Sequence, residues 1–373
     1  MTRKTRKILF YSSIGLFLIL STAVVLFALG YGYDFSKNQI LKTGGFGVTA
    51  NTGISVYIDD QLVGSTSFLS NSYSKSRLLP GSYAVRVEAD GYDSWQKQIE
   101  IQEGAFTDFP SIVLLSTELN PQPLKTNKLP TNISSLYYYK NVFYFLSGGQ
   151  LISYDIETSK QEVSVKKVEA FFPNGDTITY RGSDKNFYTF SLNNQGNKPL
   201  PLPAVDPRFA EGSGGASIKN IQKFITVNDS IYFVAKTGTQ SSLYQTKGDQ
   251  TTKLASNVTG FELSPDGVKL LYHNSHEIYV LYLRDTSYQP YKTANETNLL
   301  TRTSRTISNV QWYKDSSHAL INASGNLVFT ELDDRGERNS YDIINPVSWF
   351  YYDSGNDVIY TLVNSTLNKI ELK

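Results

Sequence analysis

The chain has 373 residues, with 35 Lys and Arg against 34 Asp and Glu, three His and no Cys. A net charge of +1 excludes a protein whose whole surface tracks nucleic acid, which would be strongly basic. The absence of Cys excludes disulfides, thiolate metal sites, iron–sulfur clusters and thiol catalysis. Aromatic residues make up 13% and charged residues only 18%, a balance that predicts a β-rich, exported protein.

Arg3, Lys4, Arg6 and Lys7 precede an apolar run from Ile8 to Leu29 that no charge interrupts. A helix needs about 20 such residues to cross the hydrocarbon core, whereas a cleaved signal peptide has an apolar stretch of about 7–15. The run therefore predicts an uncleaved transmembrane helix over 8–29, although Ala28-Leu29-Gly30 loosely mimics a cleavage site. Ser12, Ser13, Ser21 and Thr22 are tolerable within it, because helix hydroxyls can bond back to carbonyls. The basic cluster predicts a cytoplasmic tail at 1–7 and extracytoplasmic domains beyond Gly30. The expected location is thus the cell membrane, single-pass. Residues 30–43 read as a linker.

A small β-sandwich is expected over 44–116. Val56-Tyr57-Ile58 and Ala84 to Glu88 read as strands, the second with the alternation of a half-buried strand. Asp59-Asp60, Gly64-Ser65-Thr66, Leu79-Pro80-Gly81 and Asp90-Gly91-Tyr92 read as turns, with Gly81 and Gly91 expected at positive φ. Gly53 to Asp60, Val63 to Thr66, Leu79 to Tyr83 and Asp90 to Tyr92, in that order, resemble the PEGA domain family. The name-giving tetrapeptide is replaced by Asn51-Thr52-Gly53-Ile54, and Ser67 stands where the family often has Pro. The resemblance implies a surface-exposed β-sandwich beside other extracellular domains, with no catalytic residues to carry over.

Residues 117–373 carry a repeat. Pairs ending at Tyr144, Tyr180, Tyr232, Tyr272, Leu320 and Tyr360 recur at intervals of 36, 52, 40, 48 and 40 residues, five of the six preceded by a clear polar or Gly-bearing turn. Third strands follow each pair, and fourth strands follow near Val163, Leu200, Leu254, Leu299 and Tyr341. Four strands about every 40 residues predict a six-bladed β-propeller. Phe261 to Tyr272 resembles the blade motif of WD40-like and TolB-like propellers, although the Trp-Asp dipeptide is absent. Five fourth strands serve six units, so the missing one is expected from Pro123 to Leu129. That strand would close the ring against Leu367 to Leu372 and remove an exposed edge. The fold class is all-β after the helix.

No catalytic or cofactor motif is present, and neither enzymatic activity nor a cofactor is expected. His273 and His276 flank a turn beside Glu277. They read as turn histidines rather than metal ligands, which usually number three or four. Asp333-Asp334 reads as a solvated hairpin tip. Pro203 to Lys219 is the longest insertion, and the Asn132-Ile133-Ser134 triplet matters only in a glycosylating host. Aromatic clusters fall at equivalent places on the innermost strands. Tyr137, Tyr139, Trp312, Trp349 and Tyr351 are candidate ligand-binding residues if their rings face a central funnel; otherwise they pack blade against blade. The expected function is a membrane-anchored binding or scaffold protein presenting its propeller to a protein or cell-wall glycan. A propeller glycosidase or lyase, and a structural spacer in an envelope complex, are the alternatives.

Overall fold

The computed structural model describes residues 2–67, 70–124, 129–130, 133–201 and 220–372. Two compact units emerge. The first holds 1–117 together with Tyr288–Pro290 and Asp333–Asn339; the second holds the remainder.

The first unit begins with helix α1 (Arg3–Ala28). The Thr2 hydroxyl caps it by accepting from the Thr5 N–H. Ser12, Ser13, Ser21 and Thr22 donate back to carbonyls at 2.8–3.0 Å, so these side-chain hydroxyls are satisfied within the helix. Gly30, at φ +84°, ends the helix. The expected linker is instead a hairpin of β1 (Tyr31–Asp34) and β2 (Gln39–Lys42). Its turn is built by the Asp34 carboxylate, which accepts from the Ser36 hydroxyl and from the Ser36 and Lys37 N–H groups.

The sandwich has two sheets. One pairs β3 (Gly44–Ala50) with β6 (Ser72–Leu78) and, in parallel, with β9 (Phe106–Ile112). The other runs in the order β5 (Gln61–Ser65), β4 (Ser55–Ile58), β7 (Gly81–Glu88), β8 (Trp95–Ile101). Asp59 and Asp60 both take positive φ, as a two-residue hairpin loop requires. Gly91 does so at +82°, as expected. Gly81 does not: it opens β7 as an ordinary strand residue. Gly64 and Ser65 belong to β5 rather than to a turn. Phe46, Val56, Val87, Trp95, Ile99 and Leu114 fill the core between the sheets.

Lys97 sits on the inward face of β8 and is 3% exposed. Its ammonium donates to the Asp333 and Glu337 carbonyls, both at 3.0 Å. Arg335 lies over the Phe109 ring, donates to the Asp108 carbonyl and pairs with Asp333. The segment expected as a solvated hairpin tip is therefore part of this unit's packing. A buried ammonium requires fixed acceptors, and the loop supplies two.

The second unit is a six-bladed propeller of four-stranded antiparallel sheets. Blades 1 to 5 span 136–166, 168–200, 221–256, 260–302 and 307–344, each running from an innermost first strand to an outermost fourth. Blade 6 takes its inner three strands from 349–371 and its outermost strand from β10 (Gln122–Pro123). Gln122 pairs with Lys369 and Pro123 with Asn368, and the Leu124 N–H continues the ladder to the Leu367 carbonyl at 2.8 Å. The ring closes as expected. The paired stretch lies at the start of the anticipated segment, and residues 125–128 fall outside the described residues. Apolar clusters fill the spaces between successive blades, for example Leu271, Ile278, Val310 and Ala319 between blades 4 and 5.

Candidate functional site

The innermost strands are Leu136–Tyr139, Val168–Asn174, Ile221–Val227, Gly260–Leu263, Ile307–Trp312 and Trp349–Asp353. They surround the propeller axis, and polar and aromatic side chains clasp each blade to the next. The Tyr137 hydroxyl donates to the Gly175 carbonyl at 2.6 Å, joining blades 1 and 2. Phe187 and Phe224 meet edge to face at 5.1 Å between blades 2 and 3. Lys223 donates to the Phe261 carbonyl at 2.7 Å between blades 3 and 4. The Trp312 indole donates to the Glu262 carbonyl at 3.0 Å between blades 4 and 5. Asn309 donates to the Phe350 carbonyl at 2.9 Å, and Gln311 accepts from the Tyr352 N–H at 2.8 Å, between blades 5 and 6. Tyr351 and Tyr137 close the circle edge to face at 5.1 Å.

This ring locates each sequence-derived residue. Tyr137 and Tyr351 are in direct contact, Tyr137 buried and Tyr351 half-buried. Burial pushes the Tyr137 phenol up to about 12 and raises the Tyr351 phenol as well, so both stay protonated, and Tyr137 donates as a neutral hydroxyl. Tyr139 is half-buried with its hydroxyl 3.5 Å from Asn193 and Lys140 above its ring. Trp312 is 6% exposed, packed between blades 4 and 5. Trp349 lies half-buried between blades 6 and 1, and its indole nitrogen is enclosed without a hydrogen-bond partner.

Sequence reasoning missed the charges. Lys223 and Glu262 are half-buried on adjacent innermost strands. Burial lowers the Lys223 pKa, with the Glu262 charge opposing; burial raises that of Glu262, with the Lys223 charge opposing. The Lys223 ammonium also lies 5.2 Å from the Phe172 ring centre and 5.1 Å from that of Phe261, a geometry in which ring faces attract a cation. His273 completes the group. Its ring occupies the space beside Gly260, where a Cβ would stand 2.6 Å from Nε2. Burial, with a smaller contribution from Lys223, pushes its pKa down to about 4. The imidazole is neutral at physiological pH. Nothing in the local sequence distinguishes Lys223 or Glu262 from solvated strand residues; only the ring topology brings them together.

Among the described residues, no group of three or more His, Asp or Glu side chains is placed to hold a metal ion. His276 is exposed, and Glu277 is bonded to Arg302 at 2.7 Å and to Asn274 at 2.9 Å.

Residues 48–110 match the PEGA domain family, so the first unit carries a PEGA domain. No curated protein sequence matches the chain significantly. Among solved structures, the chain is similar to regucalcin from Agrobacterium tumefaciens strain C58, a calcium-binding protein, at 8% identity and a TM-score of 0.46, covering 68% of this chain and 94% of that one. It is similar to the β-propeller domain of Cps50 (Swd1) from Myceliophteria thermophila, at 10% identity and a TM-score of 0.41, covering 78% and 93%. An auxiliary nutrient binding protein from Bacteroides thetaiotaomicron VPI-5482 shares 11% identity and a TM-score of 0.42, covering 85% and 90%. Identities this low leave ligand and activity unassigned.

Proposed function

We propose that this chain is a single-pass membrane protein that holds its PEGA domain and propeller outside the cytoplasm and uses the propeller to bind a protein or a cell-envelope glycan. The observation that carries the reading is the 26-residue helix α1, none of whose side chains is buried within the fold. Ile8, Phe10, Leu16, Phe17, Ile19 and Val24 are each more than half exposed. An apolar surface of that extent suits a lipid solvent, and the basic cluster Arg3 to Lys7 supports a cytoplasmic tail. On this reading everything distal to the helix faces the envelope. The half-buried rings of Tyr139, Trp349 and Tyr351, backed by Tyr137 and Trp312, are the proposed contact residues at the axis.

A propeller glycosidase or lyase is the second reading, and Glu262 favours it. Burial raises its pKa against the opposing Lys223 charge, the direction in which a general acid is tuned. Glycoside hydrolysis, however, usually needs a second carboxyl group about 5–10 Å away, and the partner facing Glu262 is Lys223. The test is retention of envelope proteins and purified envelope glycans by the full chain in lipid nanodiscs. Saturable binding of either supports the binding reading. Release of saccharide products that Glu262→Gln abolishes would replace it with the enzyme.

A further inference from the structure

We propose that a polar cleft on blade 3, away from the axis, is a binding site for an uncharged glycan segment. This inference rests on the glycan arm of the proposed function and gives it a second site, apart from the aromatic residues at the axis. The cleft has a volume of about 490 Å³, within the usual range of about 300–1,000 Å³ for ligand sites.

The register of blade 3 builds its floor. Tyr232 pairs with Gln245, which pairs with Thr252; two residues along, Ser230 pairs with Lys247, which pairs with Gln250. Directly opposed residues, and residues two apart on one strand, share a face. These six side chains therefore form a two-by-three grid on one side of the sheet, and all six line the cleft. The next rung on the same face, Val234 and Leu243, is apolar and buried against blade 4. The face changes from apolar to polar where the two blades part. The segment after the third strand of blade 4 forms the opposite wall, with Leu283, Ala294 and Asn295. That wall is fixed: the Asn295 N–H donates to the Tyr282 carbonyl at 2.7 Å, and the Ala294 N–H to the Asp285 carboxylate at 2.8 Å.

The floor is set before any ligand arrives. The Gln245 amide donates to the Ser230 hydroxyl at 3.1 Å and to the Tyr232 hydroxyl at 3.0 Å. Both residues are buried, at 8% and 4% exposure. Both also accept from Gln245, and a hydrogen bond between Ser230 and Tyr232 engages one of the two O–H groups, which leaves the other to donate to a ligand and leaves the Gln245 oxygen as an acceptor. A buried hydroxyl without an acceptor is costly, so the site favours a ligand dense in groups that both accept and donate. Saccharide hydroxyls have that property, and the carboxamides of Gln250 and Asn295, which line the cleft, can each pair a donor and an acceptor with adjacent hydroxyls, with the Gln245 oxygen as a further acceptor. Asp229 and Lys247 are the lining residues with opposite formal charges, so the cleft as a whole favours neither an anion nor a cation. No exposed aromatic ring or deep apolar pocket offers a peptide side chain the anchor that protein interfaces depend on.

The experiment measures binding of chitotetraose, maltotetraose and mannotetraose to the full chain in lipid nanodiscs, by saturation-transfer NMR and calorimetry. At least one neutral tetrasaccharide binds, with an affinity that added salt does not change. Thr252→Val and Asn295→Ala, both at exposed positions, each weaken it roughly three- to tenfold, as loss of one hydrogen bond does. Gln245→Leu weakens it further, with its melting curve recorded to confirm folding. Binding that survives all three substitutions overturns the cleft assignment while leaving a glycan-binding propeller in place. Retention of an envelope protein with no saccharide bound overturns the cleft and leaves the wider binding function standing.

Discussion

The neutral, half-buried imidazole of His273 makes the propeller sensitive to mild acid. In the unfolded chain this group titrates at its ordinary 6.5, and in the fold at about 4. Below pH 6.5 the unfolded state takes up a proton that the native state refuses, so stability falls as the pH falls, and the loss is complete near pH 4. Above pH 6.5 both states are neutral and the group contributes no pH dependence. A separation of roughly 2.5 units corresponds to about 3 kcal/mol at the limit, of which about 2 kcal/mol is lost by pH 5. The carboxylates with depressed pKa values act in a different window. Burial pushes Asp315 up, but the His318 charge and its hydrogen bonds outweigh it and leave the group below the usual 3.8, so its contribution disappears only in stronger acid. Urea unfolding of the full chain at pH 7 and pH 5, followed by the fluorescence of Trp312 and Trp349, isolates the histidine. His273→Phe removes the titration and keeps a ring beside Gly260. The wild type loses about 2 kcal/mol between the two pH values and the variant loses much less. Equal losses would refute the assignment of a neutral, desolvated imidazole, whatever the two absolute stabilities.

Three further perturbations test the packing. Gly91→Val places a β-branched residue at φ +82° and costs roughly 1–3 kcal/mol; no Cβ contact lies within 4 Å, so the cost is purely backbone, and Gly91→Asn recovers much of it in the same thermal melt. Leu129→Ala empties a side chain 3% exposed in the cluster between blades 6 and 1 and lowers propeller stability by about 2–5 kcal/mol; deleting 121–124 removes the ladder to 367–369 as well and makes the final strand protease-sensitive, where an unchanged digestion pattern would contradict ring closure through that strand. Lys97→Met leaves the Asp333 and Glu337 carbonyls without their ammonium donor and costs about 1–3 kcal/mol, with increased hydrogen exchange confined to 333–339 and the neighbouring strands.

The repeat was legible because its punctuation is local. A polar turn followed by an aromatic pair marks the second strand of a blade, and the shortage of one fourth strand pointed to closure from the N-terminal side, where β10 lies. The Asp90-Gly91 turn was legible because glycine is the residue that reaches positive φ without strain. Gly81 was misread because glycine also opens ordinary strands. The β1–β2 hairpin was missed because four-residue strands show no clear alternation, and its turn depends on one side chain, Asp34. The aromatic clusters identified the innermost strands correctly, but alternation cannot say whether a ring meets the axis or the next blade. The polar ring of Lys223, Glu262, Asn309 and Gln311 was invisible for a deeper reason. Each residue is unremarkable on its own strand, and the six strands become neighbours only when the circle closes. The same holds for the blade 3 cleft, whose grid follows from cross-strand register rather than from sequence proximity.

The central claim is that the propeller stands outside a membrane crossed by α1, and the lack of native Cys makes it directly measurable. Thr5→Cys marks the basic tail and Ser354→Cys an exposed turn of blade 6. Intact cells producing each single-cysteine chain are treated with a membrane-impermeant maleimide, before and after lysis. The account predicts that Ser354→Cys is labelled in intact cells and in the membrane fraction, whereas Thr5→Cys is labelled only after lysis. Protection of Ser354→Cys until lysis, or release of the labelled propeller from the membrane as a shorter soluble chain, would contradict it.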